Sequence, residues 1–472
     1  MFKKIAVCTA VLTFGIGQTL AQTAAPAAPP PAWKQGMNAD MANSTLAPLA
    51  GKLTVTPAAD IPLNKLKLPP GFKAEIWSTG TPGIRAMSRG ESGKIYAGTR
   101  GLGRVYEISD NGKERTSRVV VDKLNQPAVT LHKGNLYVMS VDKALRFDNI
   151  EANPNAQPVD MTAAFKLPPL QHHNWKYLSF GPDGKLYVPF GAPCNICEPG
   201  AEYAQIRRYN ADGSGMEVIA TGVRNTQGFD WHPTTQEMWF SDHGRDWMGD
   251  NGPEDELNRM PKTGLNFGFP HCHANAVPDR DIKKDKACDG VNLPVTTMGP
   301  HAAVMGVKFY TGNMFPAEYK NTLFVARKGS WNRSQKFGYD VVTITTDADG
   351  KNAKVTPFLT GFKDDSDNSF WGRPTYMLQM PDGSMLVTEK AGTIFRLSRD
   401  GTSRTEVTGV PVVDASGQGG LLDVVPDADF AAHWRTRAAT LAQGPTLAYR
   451  NLKSAHRQSV GNRLADQLQV EA

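Results

Sequence analysis

A chain of 472 residues, 40% hydrophobic and 21% charged, has room for one large domain or two ordinary ones and is not composed like a disordered protein. Its formal charge of +6 is spread along the chain without a long basic block, which argues against nucleic acid as a partner. Gly (45) and Pro (33) are frequent, as many short strands joined by turns require and a helical bundle does not.

At the N-terminus, Lys3 and Lys4 precede an apolar run from Ile5 to Ile16, and Gln18-Thr19-Leu20-Ala21 ends in a small residue. A charged start, a short apolar stretch and a small-residue exit describe a secretory signal peptide over residues 1–21. No later segment reaches about 18 uninterrupted apolar residues, so no transmembrane segment is expected after cleavage and the location is periplasmic or secreted. Residues 22–50, with an Ala/Pro-rich stretch from Ala24 to Pro31, read as a flexible leader. Cleavage removes Cys8 and leaves Cys194, Cys197, Cys272 and Cys288. An even set in an oxidising compartment favours structural disulfides, the local pairs Cys194–Cys197 and Cys272–Cys288 being the simplest of three connectivities. The C-N-I-C element leaves a redox or metal site open, but no His follows Cys197, which excludes attached c-type haem.

From residue 51 to 425 a turn followed by a short apolar strand recurs. The strands are Ile95-Tyr96-Ala97, Leu136-Tyr137-Val138, Leu186-Tyr187-Val188, Met238-Trp239-Phe240, Leu323-Phe324-Val325 and Met385-Leu386-Val387, and the turn is Pro-Asp-Gly at Pro182 and Pro381. Most copies start roughly 40–60 residues apart, the spacing of propeller blades, and the wide gap between Pro233 and Asn321 holds a Gly/Asp-rich insertion and the Cys272–Cys288 segment. Six copies predict an all-β fold, a six-bladed β-propeller with a polar axial funnel; a large β-sandwich is the alternative. Over 426–472 the spacing turns helical, with Gly444-Pro445 between Ala431–Leu441 and Thr446–Arg457, which predicts a short C-terminal helical appendage. Leu441 to Tyr449, with Lys453, resembles the C-terminal helical end of enoyl-CoA hydratases, and no chemistry is assigned to it.

Three segments carry candidate chemistry. His172-His173 stands just before Leu178-Ser179-Phe180-Gly181, where a His can face the funnel as a general base. Arg224-Asn225-Thr226-Gln227 offers forked cation and amide donors suited to a planar polycarboxylate. Asp242-His243-Gly244-Arg245-Asp246, followed by Asp250, Glu254, Asp255, Glu256 and Asn258, crowds hard oxygen ligands as Ca²⁺ prefers, without EF-hand spacing. Arg327, Lys328, Arg333 and Arg373 would gather around an anion if they faced the funnel.

In their order and spacing, these segments resemble the soluble PQQ-dependent sugar dehydrogenase family, most closely its L-sorbosone dehydrogenase-like branch, over roughly Leu63 to Val425. The resemblance implies pyrroloquinoline quinone (PQQ) and Ca²⁺ as cofactors and an aldose or sugar aldehyde, sorbosone- or glucose-like, oxidised to a lactone or acid. His173, eight residues before Gly181, matches the family's catalytic base, while His172 stands where glucose-oxidising members have an Asp. Arg224, Asn225 and Gln227 match residues lining PQQ and substrate, Arg224 also stabilising charge on the quinone oxygen. Lys328 falls within about one residue of the PQQ-binding Lys; Arg373 matches the first of two PQQ-contacting arginines, and Thr375 replaces the second. Calcium would take the main-chain carbonyls of Gly244 and Arg245, and Asp255 and Glu256 match carboxylates of a second calcium site. The implied partners are a small sugar and a separate electron acceptor, a cytochrome or quinone. A calcium-dependent lactonase and a non-catalytic ligand-binding propeller are the rival functions for the same fold.

Overall fold

The computed structural model describes residues 32–37, 44–49, 53–169 and 172–401. The signal peptide expected over 1–21 and the helical appendage expected over 426–472 lie outside the described residues. Each of the six recurring strands is the second strand of a sheet. The second strands are Ile95–Thr99, Asn135–Met139, Leu186–Phe190, Met238–Asp242, Leu323–Arg327 and Met385–Glu389, in blades 1 to 6. Each pairs antiparallel with the strand before it, which is Ile84–Arg89, Ala128–His132, Ser179–Phe180, Phe229–Trp231, Val304–Phe309 and Pro374–Gln379 in turn. These first strands contact one another from sheet to sheet, so they surround the axis of a six-bladed propeller.

The sequence pattern follows from that packing. Every residue of the second strands in blades 1, 3, 4 and 6 is buried, because each sheet is covered on both faces by its neighbours. They therefore read as unbroken apolar runs, whereas the rim strand Arg115–Val121 is largely exposed and polar. The turns before the second strands each contain a residue in the left-handed region: Gly93, Gly134, Gly184, Gln236, Asn321 and Gly383, at φ between 58° and 89°. The looser copies, at Gln236 and Asn321, impose this conformation on a residue with a Cβ.

Closure is made between distant parts of the chain. Phe72–Ser78 is the outermost strand of blade 6, paired antiparallel with Ile394–Arg399 from Phe72↔Arg399 to Ser78↔Ile394. The Phe72 ring meets Phe315 and Phe358 edge-on at 4.9 and 5.0 Å, pinning this strand onto blade 5. Within the wide gap between blades 4 and 5, the disulfide Cys272–Cys288 ties down the insertion, and Cys194–Cys197 closes a small loop after the second strand of blade 3. No helix among the described residues is long and apolar enough to cross a membrane.

Antiparallel pairing sorts the loops by end. The Gly-bearing turns join first to second strands at one mouth of the axis. Residues that enter a first strand or leave a second strand lie at the other mouth. His172-His173, Arg224–Gln227, Asp242–Asp246, Lys328 and Arg373 have one of these two positions, while Asp255, Glu256 and Asn258 lie on the third strand of blade 4.

Candidate active site

A cavity of about 520 Å³ opens at that second mouth. It brings together His173, Arg224, Asn225, Gln227, Gly244, Asp255, Lys328 and Arg373 from blade entries and exits spread over 200 residues of sequence. Arg245 and Glu256 are not on its wall. Of the other cationic candidates, Arg327 pairs with Asp340 at 2.6 Å and Arg333 donates to Asn251 Oδ1 at 3.2 Å.

His173 is set by two features. Its backbone stands at φ +45°, a conformation that residues with a Cβ rarely hold. Gly191 permits this, since a Cβ there would meet His173 Cβ at 2.6 Å and Arg224 O at 3.0 Å. The ring's Nδ1 lies 2.9 Å from Ala192 O. A carbonyl only accepts, so Nδ1 carries the proton and Nε2 is left as a lone pair. Burial, then the Arg224 charge and His172, hold the His173 pKa well below its ordinary value, so the imidazole is neutral at physiological pH. His172, its ring 4.0 Å away, is lowered to about 4 by burial and by Arg224 and Arg100.

Arg224 is committed to the protein. Its Nε donates to Asn195 O (3.0 Å), Nη1 to Gly244 O (2.9 Å) and His243 O (3.2 Å), and Nη2 to Asn195 Oδ1 (2.7 Å) and Asp246 Oδ2 (3.4 Å). All five N–H groups are thus engaged. Asp242 takes the backbone N–H of Arg224 (2.7 Å) and of Asn225 (2.5 Å), which anchors the entry to blade 4. Asn225 Nδ2 then faces His243 Nδ1 at 3.1 Å, His243 Nε2 donates to Val304 O at 2.6 Å, and Gln227 Nε2 donates to Asn225 Oδ1 at 2.6 Å. Burial lowers the His243 pKa to about 3, so this chain is neutral apart from Arg224 and the acids.

The other side of the cavity is basic and unpaired. Lys328, Arg373, Arg100 and Lys390 line it, and among the described residues none of them shares a salt bridge with a carboxylate. Burial, then Arg85, Arg373, Arg100 and Lys390, hold the Lys328 amine well below its ordinary value. Lys390 is lowered to about 7 by burial and by Arg373, Arg85 and Arg100, and Arg100 to about 10 by burial and Arg85. Beneath them Arg85, on the first strand of blade 1, is 1% exposed, and its Nε and Nη2 have no hydrogen-bond partner. Glu389 does not neutralise the group: burial raises it to about 7, and its Oε1 accepts the Arg373 N–H at 3.0 Å.

Arg100 and Lys390 were not singled out from the sequence, and His243 only within the Asp242–Asp246 segment, yet a signal for all three exists. Arg100, His243, Lys328 and Lys390 each stand one residue past a second strand, in blades 1, 4, 5 and 6. Aligning the six repeats on their apolar strands puts these residues in one column.

The candidate calcium donors are placed differently. The Gly244 carbonyl accepts from Arg224, and Asp255 accepts the N–H of Gly244 (3.0 Å) and Val304 (3.3 Å). Glu256 accepts from Ala274 N (2.6 Å) and Asn258 Nδ2 (2.9 Å), and the Arg245 side chain is buried against Asp279 at 2.8 Å. Among the described residues no group of three or more His, Cys, Asp or Glu converges on a metal position.

With this geometry in view, comparison with known proteins places the molecule in a class. The sequence profile of the family described as Glucose / Sorbosone dehydrogenase matches residues 160–330 and 371–444. An uncharacterized protein of Borreliella burgdorferi is 33% identical over 359 residues, 73% of this chain and 93% of that one. This chain belongs to the glucose/sorbosone dehydrogenase family. It is 29% identical over 121 residues to an aldose sugar dehydrogenase of Escherichia coli, a match covering 24% of this chain and 29% of that one. The holo form of the PQQ domain of a pyranose dehydrogenase from Coprinopsis cinerea has the same fold, with a TM-score of 0.57 at 19% identity over 71% of this chain and 97% of that one. A 59-residue stretch, 12% of the chain, is 44% identical to a probable enoyl-CoA hydratase of Rhodobacter capsulatus, covering 23% of that protein.

Proposed function

We propose that this protein is an exported dehydrogenase that oxidises an aldose or sugar aldehyde, sorbosone- or glucose-like, to a lactone or acid with PQQ, His173 acting as general base. The observation that carries the reading is the unpaired basic side of the cavity. Four cations line that side, Arg373 buried and Lys328 and Lys390 half-buried, over a buried Arg85 whose Nε and Nη2 have no hydrogen-bond partner, and an anion would relieve their mutual repulsion. A planar tricarboxylate supplies that charge, whereas a neutral lactone does not. Lys328 and Arg373 would hold it, and Arg100 and Lys390 bring charge to a site where Thr375 replaces the family's second arginine. PQQ held there would supply the acceptor for the hydride from C1 of the sugar. His173 Nε2 takes the proton of the anomeric hydroxyl, its orientation fixed by the Nδ1–Ala192 bond. Arg224 holds the floor of the cavity through its five acceptors. Among the described residues no group of three or more His, Cys, Asp or Glu converges on a metal position, and no step is routed through calcium. The two disulfides accord with an oxidising, periplasmic or secreted location, and a separate cytochrome or quinone would take the electrons.

The test is titration of the signal-free apo-protein with PQQ, followed by quenching of tryptophan fluorescence, with calcium supplied in one series and chelated in another. Saturable binding, with dye reduction in the presence of an aldose, is expected. Absence of PQQ binding by the folded protein in both series would overturn the assignment.

A further inference from the structure

Ahead of the first blade the composition gives no sign of a site, yet the chain there is built into the mouth of the cavity. Asn195, inside the Cys194–Cys197 loop, donates its backbone N–H to Gln35 Oε1 (3.0 Å) and its Nδ2 to Gln35 O (2.6 Å). Trp247 Nε1 donates to Trp33 O (2.6 Å) and Arg245 Nη2 to Gly36 O (3.3 Å). Gly36 stands at φ +72°, and a Cβ there would meet Arg245 Nη2 at 2.5 Å and Ile196 Cγ2 at 3.1 Å, so the close approach requires glycine. The disulfide loop and the blade 4 exit thereby grip residues 33–36 from both sides.

What this grip presents is an aromatic surface. The Trp33 ring lies 6.2 Å from Trp247 and edge-on to Trp331 at 5.9 Å, with Trp247 and Trp331 5.5 Å apart. Trp247 is 1% exposed and serves as backing, while Trp33 and Trp331 are half-exposed and line the cavity. Next to them Asn332 Nδ2 donates to Asp246 Oδ1 at 2.6 Å, leaving polar groups at the edge of the aromatic face. The cavity is therefore divided: a basic side that suits a polyanion, and an aromatic side with polar edges, the Asp246 carboxylate among them and the Lys34 ammonium 5.3 Å from the Trp33 ring centroid. A pyranose ring has the complementary chemistry, an apolar C–H face and a rim of hydroxyls.

We infer that Trp33, Pro48, Leu49 and Leu53 form a wall of the substrate site and that Trp33 and Trp331 are the face on which the sugar ring stacks, which rests on the aldose-oxidising reading above. Pro48, Leu49 and Leu53 continue the wall, and Lys390 Nζ donates to Leu49 O at 3.2 Å, which links it to the basic side. Sugar selection then resides partly in chain that belongs to no blade, with Trp331 contributed by blade 5. Trp33 is a specificity-determining residue and takes no part in proton or hydride transfer.

The experiment compares wild type with Trp33→Ala, Trp33→Phe and Trp331→Ala, each as the full mature chain loaded with PQQ. Trp33→Ala is expected to raise KM for the preferred aldose about tenfold with kcat within about twofold, and Trp33→Phe to recover most of the loss. PQQ affinity, read by fluorescence quenching, and the thermal midpoint stay at wild-type values. Should Trp33→Ala fail to fold, Trp331→Ala probes the same face and is expected to move KM in the same direction. An unchanged KM in both alanine variants at normal PQQ affinity overturns the wall, and so does a loss of PQQ affinity that parallels KM. Wild type that binds no PQQ, or oxidises no aldose, overturns the underlying reading and the wall with it.

Discussion

The two sides of the cavity contrast in how their charges are satisfied. Around blades 3 and 4, Arg224 spends every N–H on protein acceptors and Asp242 takes two backbone amides, so that side is complete without a ligand. Around blades 5, 6 and 1, Lys328, Arg373, Arg100 and Lys390 face one another without carboxylate partners. A satisfied network fixes geometry, whereas an unsatisfied one stores affinity for whatever supplies the missing charge. The first side should therefore respond to mutation in stability, and the second in ligand binding.

The sharpest test uses His173, which sits on the satisfied side but carries a free lone pair. His173→Ala is expected to lower kcat about a thousandfold while leaving PQQ affinity unchanged, because its ring touches the binding cations only through space. Parallel loss of PQQ binding in a fluorescence titration would mean that the residue holds the cofactor and does not act as the base.

Arg224→Ala should destabilise the apo-protein by about 3–5 kcal/mol, since it strands the main-chain carbonyls of buried Asn195 and of Gly244 and leaves Asp246 without its cation. Denaturant unfolding measures this directly. A stability within about 0.5 kcal/mol of wild type would show that water readily replaces the guanidinium, and the satisfied side would lose its status as scaffold.

Arg373→Ala should do the reverse. Removing one member of a self-repelling cluster is expected to raise the thermal midpoint of the apo-protein while weakening PQQ binding about a hundredfold. Lower stability together with unchanged affinity would assign Arg373 to the scaffold through its bond to Lys328 O (3.1 Å).

How much of this was legible in the sequence differs between the two sides. The propeller was legible because second strands buried on both faces must be apolar throughout, and the turn before each needs a left-handed residue. His173 and Arg224 were legible because contiguous polar residues interrupt a blade entry. The partners of Arg224 were not, since Asn195, Gly244 and Asp246 reach it from 20 to 29 residues away, two of them through main-chain carbonyls that every residue possesses. Arg100 and Lys390 are single basic residues after an apolar strand, and only the alignment of the repeats marks them. Trp33 lay in a stretch whose Ala/Pro composition suggests a leader, and its contacts depend on an asparagine about 160 residues further on. The carboxylates at 255 and 256 read as calcium ligands because acidic residues crowd there; that they also accept the Gly244 and Ala274 backbone N–H groups was not legible.

The mildest effect should come from Lys390, and it is the one that resolves the pH dependence of the basic side. Burial and the charges of Arg373, Arg85 and Arg100 lower its pKa from 10.5 to about 7; Glu389 and the Leu49 carbonyl face it as well. The unfolded chain therefore binds more protons than the folded one between about pH 7 and 10.5, so this lysine lowers stability in full below pH 7 and ceases to do so as the pH rises through that window. An anion in the cavity favours the protonated amine, so binding takes up a proton, and PQQ affinity should fall about tenfold between pH 7 and 9. Lys390→Arg keeps the charge over this range and should flatten the profile. Lys390→Met should bind PQQ about tenfold more weakly at pH 6, with a higher apo thermal midpoint at pH 7 and a difference that vanishes near pH 10. A profile equally steep in Lys390→Arg would move the titration to Lys328, the other lysine of the cluster, whose amine is depressed by the same neighbours.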